Sequence, residues 1–375
     1  MGGIYIHIPF CRQACRYCDF YFSVSIQHQE KFVDALLEEI NQRAAPYQDS
    51  EMGSIYLGGG TPSLLSPGNI HRIMESIREH FIIRDNAEVT IECNPDDLDT
   101  SVLEYLRSSG FNRISIGIQS FREEDLQLMR RSHNATQALH CIKDAEEAGF
   151  ENITADLIYG IPGQTPEGWG ENVTRALSLP IQHLSAYHLT FEPGTIFDHW
   201  RKRGRLVPVD EEQSVQMYRI LRERLLESGF EHYEISNFAR NGKRSIHNQL
   251  YWSGKPYLGF GPSAHSFDGN SRSWNVASLK DYVVTVSGEK SARTCEALST
   301  KERYHDYLIT SLRTSDGADP EYILQQFGKE IRKHFDKRVE PFIADGSIRV
   351  NKTQLVIDPA SWLVADHIMR ELFQK

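Results

Sequence analysis

The chain has 375 residues, 40% of them hydrophobic and 25% charged, and a formal net charge of −10. That is the composition of a globular protein of two or three domains with a large core. It excludes a chain built for general nucleic-acid binding, which needs a basic excess against phosphates, and the lack of any apolar run of about 18 residues excludes a membrane-spanning helix.

The opening residues, Met1-Gly2-Gly3-Ile4-Tyr5-Ile6-His7-Ile8, lack the basic region and cleavage site of a signal peptide, and Ile6 breaks the myristoylation pattern. A cytoplasmic location is expected, where cysteines stay reduced. Residues 3–8 are a short apolar and β-branched run that stops at Pro9, which predicts a strand. Residues 27–45 carry Phe32, Leu36, Leu37 and Ile40 at helical spacing. A second strand over 54–57 runs into Gly58-Gly59-Gly60-Thr61-Pro62. Helices are expected over 68–80, 101–109, 121–131, 136–148, 167–179 and 210–228, with strands over 88–93, 113–118, 153–158 and 183–189.

Six strands alternating with helices over about 190 residues predict right-handed β-α-β units on a parallel sheet. Six units are too few for a closed eight-stranded barrel, so the fold class expected is α/β, an open, partial (β/α)6 barrel resembling a TIM barrel. In such folds ligands sit at the C-terminal ends of the strands. Beyond Gly229 the texture changes. Residues 232–240, 245–252 and 256–266 read as aromatic loops rich in Gly, Asn and Ser. Helices over 301–312, 320–327 and 330–343, a hairpin over 347–357 and a closing helix over 361–373 predict a winged-helix-like C-terminal module, read as a lid or interaction domain. The expected division is 1–230, 231–298 and 299–375.

Three of the six cysteines, Cys11, Cys15 and Cys18, fall within eight residues with the spacing C-x3-C-x2-C. In a reducing compartment such a group reads as a metal or redox site. Three thiolates can hold three irons of a cubane cluster and leave the fourth open. A zinc site completed by His7 or Asp19 is the alternative, although zinc loops usually bring two C-x2-C pairs. Cys93, Cys141 and Cys295 read as structural thiols.

This cysteine spacing at the end of the first strand, with Tyr17 before the last cysteine, resembles the radical S-adenosylmethionine (SAM) superfamily. There the open iron is chelated by the amino and carboxylate groups of SAM. The resemblance implies a [4Fe–4S] cluster on Cys11, Cys15 and Cys18 and a SAM site built from strand ends. By the same resemblance Gly58, Gly59, Gly60 and Thr61 meet the methionine ammonium, a close approach that glycine permits. Glu92 accepts from ribose hydroxyls, Gln119 contacts the ribose or methionine, and Asp156, Tyr5 and Tyr17 lie against the ligand. Arg131, with Arg130 as its neighbour, pairs with the methionine carboxylate, which suits a guanidinium.

The stretch Tyr5-Ile6-His7-Ile8-Pro9-Phe10-Cys11 narrows the likeness to proteins related to oxygen-independent coproporphyrinogen III oxidase (HemN). Two departures stand out: Phe20 occupies the position of a fourth cysteine in the oxidase, and the chain starts directly on its first strand. Both resemble the HemW group, understood as heme chaperones. His247-Asn248-Gln249-Leu250-Tyr251-Trp252 matches the H-N-x-x-Y-W signature of that group. A histidine beside large aromatics suits a porphyrin, since imidazole is a common iron ligand and flat rings pack on a flat macrocycle. The resemblance implies heme binding by His247, Asn248, Tyr251 and Trp252, with His265 as the second candidate ligand. It also implies heme-acceptor proteins as partners, with any peripheral membrane contact made through them. The competing activity is oxidative decarboxylation of coproporphyrinogen III to protoporphyrinogen IX.

Overall fold

A computed structural model describes residues 2–288 and 293–374. The first strand, β1 (Gly2–Ile8), is followed by β2 (Glu51–Gly59), β3 (Ile82–Cys93), β4 (Arg113–Gln119), β5 (Ile153–Tyr159) and β6 (His183–His188). These six run parallel in sequence order, each neighbour reached through a connection that contains helix. The sheet does not close, so the open, partial barrel expected from the pattern is the fold. Five of the seven residues of β1 are buried, Ile4, Ile6 and Ile8 on one face and Gly3 and His7 on the other, as a strand covered on both faces requires.

The stretch read as loops beyond Gly229 is different from that expectation. It contains β7 (Glu231–Glu234), β8 (Asn237–Ala239), a helix over Ile246–Trp252, β9 (Tyr257–Phe260), β10 (His265–Phe267), β11 (Ser271–Asn275) and β12 (Arg293–Ala297). These strands extend the sheet at both edges, giving the order β12-β11-β10-β9-β1-β2-β3-β4-β5-β6-β8-β7. β9 lies parallel to β1, with Gly3 opposite Tyr257 and Ile6 opposite Phe260.

One buried carboxylate ties this late edge to the first helix, Gln29–Ala44. Glu39 accepts from the Gly261 amide at 2.9 Å, Asn275 Nδ2 at 2.8 Å and the Tyr282 hydroxyl at 2.7 Å, and it pairs with Arg43. Three donors and a cation offset much of the cost of burying a carboxylate.

The C-terminal region holds helices Thr300–Leu312, Pro320–Phe327 and Lys329–Ala344, then a hairpin of β13 (Ile348–Asn351) and β14 (Gln354–Ile357). The closing helix is shorter than its sequence pattern suggests, Ala365–Glu371, preceded by a 3-10 turn. The helix expected over 121–131 is also shorter, Glu123–Met129, because Arg130 adopts a left-handed conformation (φ 58°) and ends it. Among the described residues no helix is long and apolar enough to cross a membrane.

Candidate functional site

The cysteine loop leaves β1 and is fastened at both ends. The Cys11 amide donates to Ser23 O at 3.0 Å, and the Arg16 amide to Met129 O at 3.1 Å. The three thiols are half-buried. Thr61 Oγ1 lies 3.7 Å from Cys11 Sγ, and Arg131 Nη1 lies 3.4 Å from Cys15 Sγ. Burial pushes the Cys18 thiol up to about 12. A thiolate in that setting needs a metal or another cation to hold its charge.

Among the described residues no three such side chains converge on a single-ion shell. A cubane is held at separate corners, one thiolate to each iron, so its ligands need not converge. Gly60 keeps the loop close: a Cβ there would stand 2.7 Å from Phe10 O, 2.9 Å from Ile8 O and 3.1 Å from Cys11 Sγ. The donor set and the space both fit a [4Fe–4S] cluster.

Beside the loop is a cavity of about 420 Å³. Its walls include Cys11, Cys15 and Cys18 together with Tyr17, Gly59 and Gly60. Thr61, Glu92, Gln119, Arg131 and Asp156 also line it. Thus most of the expected SAM residues, drawn from the four strands β2 to β5 and the loops beside them, converge on one edge.

The Glu92 carboxylate accepts from the Tyr56 hydroxyl at 2.7 Å and the Gly59 amide at 3.0 Å. Burial still dominates and pushes it up to about 7. Gly58 does not line the cavity. Its lack of a side chain leaves room for Glu92, whose Oε1 would be 2.9 Å from a Cβ. Gln119 ends β4 with φ 62°, which turns its side chain off the strand direction. Asp156 sits three residues before the end of β5 rather than at it, accepting from Ser115 Oγ at 2.9 Å.

The left-handed Arg130 decides which arginine faces inward. Arg130 is exposed, whereas Arg131 donates to Asn94 Oδ1 at 2.5 Å and to Gly117 O at 2.8 Å. Asn94 is a site residue that sequence reasoning passed over. It also donates to Thr61 Oγ1 at 3.1 Å, bracing two expected ligand contacts at once. The signal was its position two residues beyond Glu92, in the same strand-end string.

Tyr5 lines a different, larger cavity of about 870 Å³ between the β9–β11 edge and the C-terminal helices. Tyr251 and Trp252 line it too, while Asn248 faces the cluster cavity. The two cavities meet at Asp19, Phe20, Gly59 and Glu92. Phe20 is 67% exposed at that junction.

His247 lines neither cavity and is 1% exposed. Its Nδ1 is 2.8 Å from Ser54 Oγ on β2, and its Nε2 is 2.8 Å from the Tyr251 hydroxyl. Burial pushes it down to about 3, so the imidazole is neutral. Behind it the buried Glu88 accepts from the Ile246 and His247 amides, both at 3.0 Å, at the start of the motif helix.

The Radical SAM superfamily model matches residues 5–176, and the HemN C-terminal domain model matches 298–364. The heme chaperone HemW of Bacillus subtilis is 33% identical over 98% of this chain and 98% of its own length. The chain belongs to the HemW family. The HemW heme chaperone of Lactococcus lactis is 34% identical over 90% of this chain and 86% of its own length. Among solved structures, coproporphyrinogen III oxidase (HemN) of Escherichia coli, described as a radical SAM enzyme, matches with a TM-score of 0.86 and 29% identity. That match covers 99% of this chain and 90% of the oxidase. As a radical SAM protein of this family, the chain has a [4Fe–4S] cluster and SAM as its cofactors.

Proposed function

We propose that this HemW-family chain is a heme chaperone that binds heme and passes it to acceptor proteins, with a SAM-chelated [4Fe–4S] cluster beside the heme site. One observation carries the reading: a chain similar over its full length to named heme chaperones also holds an aromatic cavity of about 870 Å³ walled by Tyr251 and Trp252 of the H-N-x-x-Y-W motif. That volume is in the range of cofactor pockets. Flat aromatic walls suit a flat macrocycle.

When bound, the cluster supplies one-electron chemistry and an open iron for the amino and carboxylate groups of SAM to chelate. Cys11, Cys15 and Cys18 hold three of its corners. Arg131 meets the carboxylate of SAM, Gly59 and Gly60 admit its ammonium against the backbone, and Glu92 accepts from a ribose hydroxyl. Gln119, Asp156 and Tyr17 complete that cavity's wall. In the heme site, Tyr251 and Trp252 contact the macrocycle, His247 stands directly behind Tyr251, and Asn248 faces the neighbouring cluster cavity. The protein works in the cytoplasm and reaches membranes through its acceptors.

Heme titration of purified protein, followed by mixing with an acceptor hemoprotein stripped of heme, tests the reading. A saturable Soret change and transfer of the band to the acceptor are expected; no Soret change would overturn it. The structural likeness to the oxidase favours a second reading, decarboxylation of coproporphyrinogen III. Phe20 lacks the thiol that the oxidase carries at this position. An anaerobic assay with reductant and SAM separates the two: protoporphyrinogen formation would establish the enzyme instead.

A further inference from the structure

Three histidines stand at or directly behind the aromatic cavity, and they differ in what their ring nitrogens do. His7 has both engaged: Nδ1 is 3.1 Å from the Tyr5 hydroxyl and Nε2 is 2.9 Å from Tyr21 O. His247 has both engaged as well, with Ser54 and Tyr251. To reach an iron, His247 would have to give up a hydrogen bond in a buried setting and displace the Tyr251 ring that covers it. An unpaired buried partner costs about 1–3 kcal/mol.

His265, on β10, is exposed and lines the cavity. Among the described histidines of that wall it alone has no hydrogen bond. Its ring stacks on Trp274 at 5.9 Å and 23°, which holds the imidazole plane without occupying a nitrogen. Partial desolvation against the cavity wall and the nearby Arg272 lower its proton affinity, which favours the neutral ring with a lone pair on one nitrogen.

The same cavity carries charge suited to an acidic macrocycle. Arg272 on β11 and Arg303 on the Thr300–Leu312 helix both line it. Arg272 pairs with Asp306, and Arg303 donates to Asn270 Oδ1 at 3.1 Å while its Nε has no partner. On the same helix as Arg303 and on the next one, Tyr307, Tyr322 and Phe327 supply flat aromatic surface to the cavity. Asp19 and Glu92 lie at the end shared with the cluster cavity.

We infer that His265 is the axial imidazole ligand of the bound heme iron, that Arg272 and Arg303 receive its propionate carboxylates, and that His247 is a positioning residue holding Tyr251 in the cavity wall. This rests on the heme-binding reading above. The His247 contacts couple the wall to the SAM-binding strand. Ser54 and Tyr56 both lie on β2, and the Tyr56 ring packs 5.1 Å from His247 while its hydroxyl bonds Glu92.

The test is heme titration of the full chain, read by absorption and resonance Raman for the iron–imidazole signature. Wild type, His265→Ala, His265→Gly with added free imidazole, His247→Ala and Tyr251→Phe are compared, with circular dichroism as a folding control. His265→Ala is expected to lose the signature and weaken heme binding about tenfold or more, and free imidazole to restore the signature in His265→Gly. Folded His247→Ala and Tyr251→Phe are expected to bind heme several-fold more weakly and to keep the signature. Retention of the signature by His265→Ala, or its loss in folded His247→Ala, would overturn the inference alone. Absence of any heme spectrum in wild type would overturn the chaperone reading together with it.

Discussion

The cluster cavity and the aromatic cavity share Asp19, Phe20, Gly59 and Glu92, yet they are assembled by opposite routes. The first collects single polar groups from the ends of successive parallel strands, so each β/α unit contributes by its place in the sheet. The second is walled by β9–β11, by the motif helix and by helices of the C-terminal region, segments whose proximity is set by long-range pairing. The difference explains how one barrel can keep its cofactor site while its neighbouring site carries a different cargo.

The largest effect is expected where the late edge is fastened. Glu39→Ala leaves the Gly261 amide, Asn275 and the Tyr282 hydroxyl without their acceptor. A loss of about 3 kcal/mol or more follows from breaking such a buried network, measured by urea unfolding. Heme affinity should fall in the folded fraction while SAM affinity holds. A drop in both would mean the two cavities are one mechanical unit.

Next in size, Arg131→Ala should weaken SAM binding by about 100-fold, the worth of a charge-assisted contact of roughly 2–3 kcal/mol. Calorimetry on the reconstituted protein would show it, with heme titration unchanged. Gly60→Ala is expected to cost about 2 kcal/mol by overpacking, because the nearest atoms are the Phe10 and Ile8 carbonyl oxygens, which cannot step aside. A lower melting temperature and a reduced iron content are the readouts.

The smallest effect is a pH dependence at Glu92. Burial raises its folded value from an ordinary 4.5 to about 7, so the folded chain keeps a proton that the unfolded chain releases. That contribution to stability is full below about pH 4.5 and is lost as pH rises through about 7. Glu92→Gln should therefore gain on wild type across that window. Melting curves from pH 5 to pH 8 would show the gap widening upward; a constant gap would contradict the burial.

How far each cavity was legible in the sequence follows the same contrast. Ile70, Ile73, Met74 and Ile77 at helical spacing, and the runs ending at Gly58–Gly60, Glu92 and Gln119, are local patterns, and they announce both the barrel and its ligand edge. Strands such as β8 and β10 have three residues each, and β9 finds its partner β1 about 250 residues earlier, a pairing with no local signature. The motif helix was hidden for a related reason. Ile246–Trp252 is seven residues long and is set by the Ser245 cap and by Glu88 from a distant strand. The orientation of His247 depends on Ser54 and Tyr251 together, which spacing alone cannot express.

The central claim is that one chain carries a cluster and a heme in two separable sites. Anaerobic reconstitution with paired quantification of iron, sulfide and heme, on wild type and Cys18→Ala, tests it most directly. Wild type is expected to hold about four non-heme irons and four sulfides beside one heme, and Cys18→Ala to lose cluster iron and sulfide while keeping the heme. Zinc in place of iron and sulfide, or loss of heme together with the cluster, would contradict the account.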